Sequence, residues 1–276
     1  MEWKTLEVSG KPTDNAEERD ANFVQERMEL MREEEIDESQ IWDESEIENI
    51  KQILPMELTT AVPGMEKAII CGDPISLGDI LDHQQGYDNP YGSFGTCGPT
   101  SIANLCIIGG KEVTEPEVVE YAMENDLCVK NDEKFHGGGT TIGQQIALLE
   151  HFGFPSHCEL ANETATPERL ASAIEGGHGV LLGLNSGVLQ DREWKVFNDK
   201  GEIAATHAVC LTGTVRDPDS GNLVGFYLCD SSGQTPESGR TFVPMDKFLH
   251  SYSDAKGSFA VITNDPIRQG YNYHIK

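Results

Sequence analysis

Three side chains far apart in the chain have the types that thiol chemistry needs: Cys97, His207 and Asp230. Cys97 stands in the stretch Gly95-Thr96-Cys97-Gly98-Pro99-Thr100-Ser101-Ile102-Ala103-Asn104-Leu105. Pro99 suits the first position of a helix, where a missing N–H costs nothing and its fixed φ is already helical. The apolar run from Ile102 to Ile108 makes that helix core-facing, and Gly109-Gly110 ends it. Cys97 therefore sits at or just before the helix N-terminus, where unsatisfied N–H groups and the helix dipole favour a thiolate. A thiol so placed is a nucleophile if a base reaches it.

His207 opens an apolar run that reads as a buried strand, and Asp230 closes the strand paired to it across a hairpin. In a tight hairpin the start of one strand lies beside the end of the next, so the two side chains are neighbours. With the cysteine helix packed against this sheet edge, the three form a line of nucleophile, base and orienting group. Asp230 holds the imidazole in one tautomer, and His207 draws the proton from Cys97. Gln84 or Gln85, with the backbone N–H of Cys97, is the candidate donor to an oxyanion, a contribution of roughly 3–4 kcal/mol for one such donor. Each residue also has a plainer reading. Cys97 can be an inert helix residue, His207 a satisfied core histidine, and Asp230-Ser231-Ser232-Gly233 simply a good turn. His178, at a strand start after Gly176-Gly177, is the second candidate base. The remaining histidines, His83, His136, His151, His157, His250 and His274, read as solvent or loop residues.

The elements that must position these groups are legible in outline. Ala68–Cys71 reads as a short strand, Ser76–His83 as a short helix or turn, and residues 86–94 as a loop rich in Gly, Asn, Pro and Tyr. Thr114-Glu115-Pro116-Glu117 is a capping-box helix start, Thr141 with Gln144 another, and Thr166-Pro167 a third, stopped by Gly176-Gly177. Gly137-Gly138-Gly139 is a loop without the pattern that a phosphate cradle requires. Strands follow at Gly179–Leu184, His207–Gly213, Leu223–Cys229, Thr241–Val243 and Phe259–Ile262, with a turn at Asp217–Asn222 and a short helix over Met245–Tyr252. Helices first and an antiparallel sheet afterwards is an α+β order.

Cys97-Gly98-Pro99-Thr100-Ser101 after an upstream glutamine, then His207-Ala208-Val209 at a strand start, then Asp230 at a strand end, resembles the papain-like cysteine peptidases. The likeness is greatest to the branch of the double-glycine-leader peptidases and their bacterial relatives, and it covers about residues 75–265. It implies a papain-like fold, in which a helical lobe with the nucleophile helix packs against an antiparallel sheet lobe across a cleft. It implies hydrolysis of a peptide or isopeptide bond through an acyl-enzyme. The family's nucleophile carries over onto Cys97, its base onto His207, its orienting residue onto Asp230 and its oxyanion glutamine onto Gln85, with Gln84 nearly as good. The loop from Gly86 to Thr96 is longer than in papain itself, which leaves the glutamine the least secure of the four. Two other outcomes fit the same residues: a different acyl transfer (transglutaminase, deamidase or cell-wall amidase), or an inactive papain-like domain used as an acidic binding module. No metal or organic cofactor is implied.

The chain has 276 residues and a formal net charge of -27, which argues against nucleic acid or an anionic membrane as partner and would steer a basic peptide favourably. Its oligomeric state is open. No run of eighteen apolar residues and no apolar signal core after Met1-Glu2-Trp3-Lys4 are present, so a cytoplasmic protein, or one delivered out of the cell without a cleaved signal peptide, is expected. The seven cysteines are scattered without a CxxC pair, and Cys106, Cys210 and Cys229 fall in apolar runs as core residues, which suits a reducing compartment. Residues 1–62 form an acidic, mostly polar extension, read as a solvated segment, a pro-segment or a linker, ahead of a peptidase-like domain over residues 63–276.

Overall fold

A computed structural model describes residues 58–72, 77–78, 80–86, 89–130, 137–192, 197, 200–233 and 235–268, all within one unit, Met56–Lys276. The acidic segment up to residue 57, His136 and His274 lie outside the described residues.

The architecture is α+β, with one eight-stranded antiparallel sheet built around a long buried strand, β5 (His207–Arg216). The other strands are β1 (Leu58–Val62), β2 (Met65–Gly72), β3 (Ser156–Leu160), β4 (Val180–Leu184), β6 (Leu223–Cys229), β7 (Thr241–Pro244) and β8 (Phe259–Thr263). One edge of β5 carries β6 and then β7. Its other edge forks. The first half, from His207 to Leu211, pairs with β4, which leads to β8 and β3; the second half, from Gly213 to Arg216, pairs with β2 and then β1. The turn between β5 and β6 is closed by Asp217, whose Oδ1 accepts from the backbone of Asp219 and Ser220.

Strand periodicity sends alternate side chains to opposite faces of the sheet. Leu181, Ala208, Cys210 and Val261 join a core under the helices α1 (Cys97–Ile108), α2 (Glu115–Glu124) and α3 (Ile142–His151). Val180, Leu182, Leu184, Val209, Leu211, Ala260 and Ile262 face the opposite core, with Leu170 and Ile174 of α4 (Pro167–Glu175) and with Phe248 and Tyr252. Both faces being covered, β4 and the Ala208–Leu211 stretch of β5 carry no polar side chain, which is why they read as unbroken runs rather than alternating ones. Helix α1 is buried continuously from Gly98 to Cys106, the mark of a helix packed on all sides.

The capping boxes at Thr114/Glu117 and Thr141/Gln144 are formed as the sequence indicates, and α4 starts at Pro167. The order of helices first and sheet second is not observed: β1 and β2 precede the helices and β3 interrupts them. Leu58–Val62, assigned by composition to the extension, is paired with β2 as the outermost strand of the sheet. Ser156-His157-Cys158-Glu159-Leu160 escaped the hydrophobic pattern because it is a short, half-exposed edge strand. The helical stretch after β7 is shorter than expected, Met245–Phe248, and loosens into a π-type turn over Leu249–Ser253.

Candidate active site

The site forms where the start of α1 meets the start of β5 and the end of β6. Cys97 is the first residue of α1, with Thr96 as its N-cap, and Pro99 is third rather than first. The change is harmless, because the first four helical N–H groups lack intrahelical partners in any case. Gly98 allows the close approach that follows: a Cβ there would lie 2.1 Å from Thr140 Oγ1, ahead of α3. Ser101 on the next turn donates to the Ala208 carbonyl at 3.2 Å and fastens α1 to β5 beside His207.

His207 and Asp230 are both buried, with Nε2 of the imidazole 2.7 Å from Oδ1 of the carboxylate. The ring also acts on the partly exposed Cys97 thiol, through a hydrogen bond and its charge. Burial alone would push the Cys97 thiol up. The hydrogen bond and charge of His207, helped by the backbone of Ala208 and Gly98, outweigh it and hold the thiol below its ordinary value. Burial likewise disfavours a charged His207, but Asp230 and Cys97 raise it to about 10. Asp230 is pressed upward by desolvation and pulled far below the usual carboxylate range by His207, Gln190 and the Ser232 backbone. The three shifts run in the direction that favours a thiolate–imidazolium pair with a carboxylate behind it.

Asp230 is itself held on several sides. Ser232 donates to Oδ1 from its backbone at 3.0 Å and its hydroxyl at 2.8 Å, and Gln190 donates to Oδ2 at 2.9 Å. Gly233 N–H closes the turn on the Asp230 carbonyl at 3.1 Å. The turn reading of Asp-Ser-Ser-Gly and the pairing with His207 are therefore both present, because the turn supplies the donors that fix the carboxylate.

Gln85 joins the two sides of the site. Its side-chain amide donates to the Phe94 carbonyl at 2.7 Å, its Oε1 accepts from the Ser231 hydroxyl at 3.1 Å, and its backbone N–H meets the Ser231 carbonyl at 2.6 Å. Gln84 is bridged through its backbone to Ser232. Asn104 on α1 secures the segment ahead of them, accepting from Asp82 N–H at 2.7 Å and donating to the Asp82 carbonyl at 2.9 Å.

His178 is not part of this cluster; its Nδ1 lies 2.8 Å from the Thr263 carbonyl. His83, read as a solvent or loop residue, is in a loop but buried. Gly137–Gly139 packs on the nucleophile loop, with Gly95 N–H on the Gly137 carbonyl at 3.0 Å and Gly138 against Thr96. Gln190 and Asn104 carry no motif that would have marked them, and Ser231, Ser232 and Glu115 are legible only as turn and helix-start residues. Among the described residues, no group of three or more His, Cys, Asp or Glu side chains is placed to hold a metal, and no helix is long and apolar enough to cross a membrane.

No family model matches the sequence, and no curated protein does. Among solved structures, a double glycine motif protease from an AMS/PCAT transporter, in complex with its leader peptide, is similar at 18% identity and a TM-score of 0.38. The match covers 61% of this chain and 84% of that one.

Proposed function

We propose that this chain is a cysteine peptidase of papain-like arrangement that cleaves a peptide or isopeptide bond through a Cys97 acyl-enzyme. What supports the reading is the His207–Asp230 pair at 2.7 Å beside the Cys97 thiol at the start of α1, an arrangement that draws the thiol below and the imidazole above their ordinary ionisation. Cys97 attacks the scissile carbonyl as the thiolate. The oxyanion is met by the Cys97 backbone N–H at the helix end and by the Gln85 amide, which the substrate draws from Phe94. His207, as imidazolium, gives its proton to the leaving amine, and a water activated by the neutral ring then hydrolyses the thioester. Asp230 keeps Nε2–H engaged, so that Nδ1 is the nitrogen that serves the sulfur. The substrate is a peptide or protein; the chain's charge of -27 favours a basic one.

The test is to incubate the protein with a proteome-derived peptide mixture and to read new termini by mass spectrometry, alongside Cys97→Ala. New termini that vanish in the variant are expected. Cleavage that persists in Cys97→Ala removes the proposal, and Cys97-dependent ammonia release or cross-linking without cleavage replaces it with a different acyl transfer.

A further inference from the structure

We propose that Glu115 is a positioning residue for the nucleophile: its carboxylate ties the N-cap of the Cys97 helix to the residue following Gln85, and keeps the N-cap hydroxyl off the helix end where the thiol sits. The proposal rests on Cys97 being the reacting group, not on the identity of the bond cleaved.

Glu115 opens α2 and is buried, and one of its oxygens, Oε1, is shared by three residues of the stretch between the glutamine and the cysteine. It accepts from the Thr96 hydroxyl at 2.5 Å, from Gly86 N–H at 2.8 Å and from Asn89 Nδ2 at 3.5 Å. Asn89 in turn closes on Ser93, donating to its carbonyl at 2.7 Å and accepting from its N–H at 3.0 Å. The two ends of an eleven-residue loop, Gly86–Thr96, thus meet on one atom. Gly86 has φ +76°, a conformation that suits glycine, at the point where the chain turns toward Glu115.

A threonine at the N-cap ordinarily turns its oxygen toward the N–H of the second or third helical residue. Here the third is Pro99, which has no N–H, and Thr96 makes no side-chain cap. Its hydroxyl is given to Glu115 instead. Gly98 N–H, the one remaining capping donor, then serves the Cys97 sulfur and helps to draw its thiol down. Without Glu115, the Thr96 hydroxyl is free to turn back onto Gly98 and compete with the sulfur.

The carboxylate is also responsive. Burial pushes Glu115 up to about 7, the hydrogen bonds from Thr96, Gly86 and Asn89 pull against this, and Asp82, facing it from the loop, adds a like-charge push. Glu117 on the same helix is taken up by the Thr114 cap. A neutral carboxyl is about half as strong an acceptor as a carboxylate. The hold on Thr96 therefore weakens as the pH falls through this range.

The experiment is the pH profile of iodoacetamide alkylation at Cys97 in the full chain, read by peptide mass spectrometry, with half-exposed Cys158 on β3 as the reference thiol in the same molecule. Wild type is expected to show a second step near pH 7 that Glu115→Gln lacks, because the amide oxygen still accepts from Thr96 and Gly86 but does not titrate. Glu115→Ala is expected to alkylate about tenfold more slowly at pH 6, as for a thiol raised by one unit. Cys158 is expected to be unchanged in both, and the Glu115→Gln comparison stands even if Glu115→Ala does not fold. Superimposable wild-type and Glu115→Gln profiles between pH 5 and 9 overturn the proposal, as does a folded Glu115→Ala that alkylates at the wild-type rate. Profiles that change as expected without any peptide cleavage leave Glu115 in its role and remove the peptidase.

Discussion

Cys97 and Cys210 are close neighbours in the fold and opposites in chemistry. Cys97 meets the backbone of Ala208 on β5; Cys210 lies two positions further along the same strand, facing the same core. Burial raises both thiols. In Cys210 nothing reverses it: the thiol is pushed up to about 12, with the Val180 carbonyl at 3.8 Å as its hydrogen-bond acceptor. Cys106 is pushed up to about 12 and Cys229 well above its ordinary value by the same cause. Cys97 ends below its ordinary value because the hydrogen bond and charge of His207 outweigh its burial. The backbone of Ala208 and Gly98 assists, but the larger downward influence is His207, itself raised by Asp230 behind it. A buried carboxylate is tolerable only with its oxygens satisfied. The turn after β6 satisfies them with Ser232, and Gln190 adds a donor from across the site. His207 and Asp230 stand at strand ends, where the chain supplies polar backbone and turn side chains that a strand interior has already committed.

The contrast breaks most sharply if the cation is removed. In His207→Ala, Cys97 keeps its burial and its helix end but loses its largest downward influence. With the ring gone, burial is left to push the thiol up, so alkylation of Cys97 at pH 6 is expected to fall on the order of a hundredfold. Alkylation within about threefold of wild type would place the activation in the helix terminus and not in the ring. Asp230→Asn is the intermediate case. The amide oxygen still accepts from Nε2–H, but the charge is gone, and a loss of about tenfold at pH 6 corresponds to one unit on the thiol.

The same variant tests the sign of the pair's pH dependence. Asp230 is lowered from 3.8, so its contribution to stability is present above that value and is lost as the pH falls below it. His207 is raised from 6.5 to about 10, so its contribution is full below 6.5 and is lost as the pH rises through 10. The stability gap between wild type and Asp230→Asn is therefore widest between about pH 4 and 6.5. Urea denaturation at pH 5 and pH 9.5 measures it; a larger gap at pH 9.5 contradicts the assignment.

How much of this contrast the sequence displays depends on the range of the interactions involved. The helix start at Cys97 is written in its own residues, from Thr96 through Pro99 to the apolar run. The approach of His207 and Asp230 follows from hairpin geometry, since Cys210 pairs with Cys229 and Asp230 is the next residue. Those relations are local or span one turn. Glu115 reaches Thr96 from nineteen positions away, Gln190 reaches Asp230 from forty, and Ser231 answers Gln85 from 146. Such contacts are fixed only when sheet and helices have packed, and no spacing rule encodes them. The fork along β5 is hidden for a related reason. Its second branch is made by β1 and β2, and β1 falls where composition is still changing from acidic to globular.

Cys210→Ala gives the smallest effect and the cleanest separation of the two kinds of thiol. Removing a buried sulfur from a packed core leaves a small void, and loss of one buried group of that size costs about 1 kcal/mol of stability. Cys210 touches neither His207 nor Asp230 through any polar contact in the structure, and its thiol is neutral over the range in which Cys97 reacts. The variant is therefore expected to lower the urea midpoint slightly while leaving the Cys97 alkylation rate at pH 6 within about twofold of wild type. A tenfold fall in that rate, with the fold intact, would mean that the core thiols set the position of β5 under His207, and that packing rather than charge separates Cys97 from its neighbours.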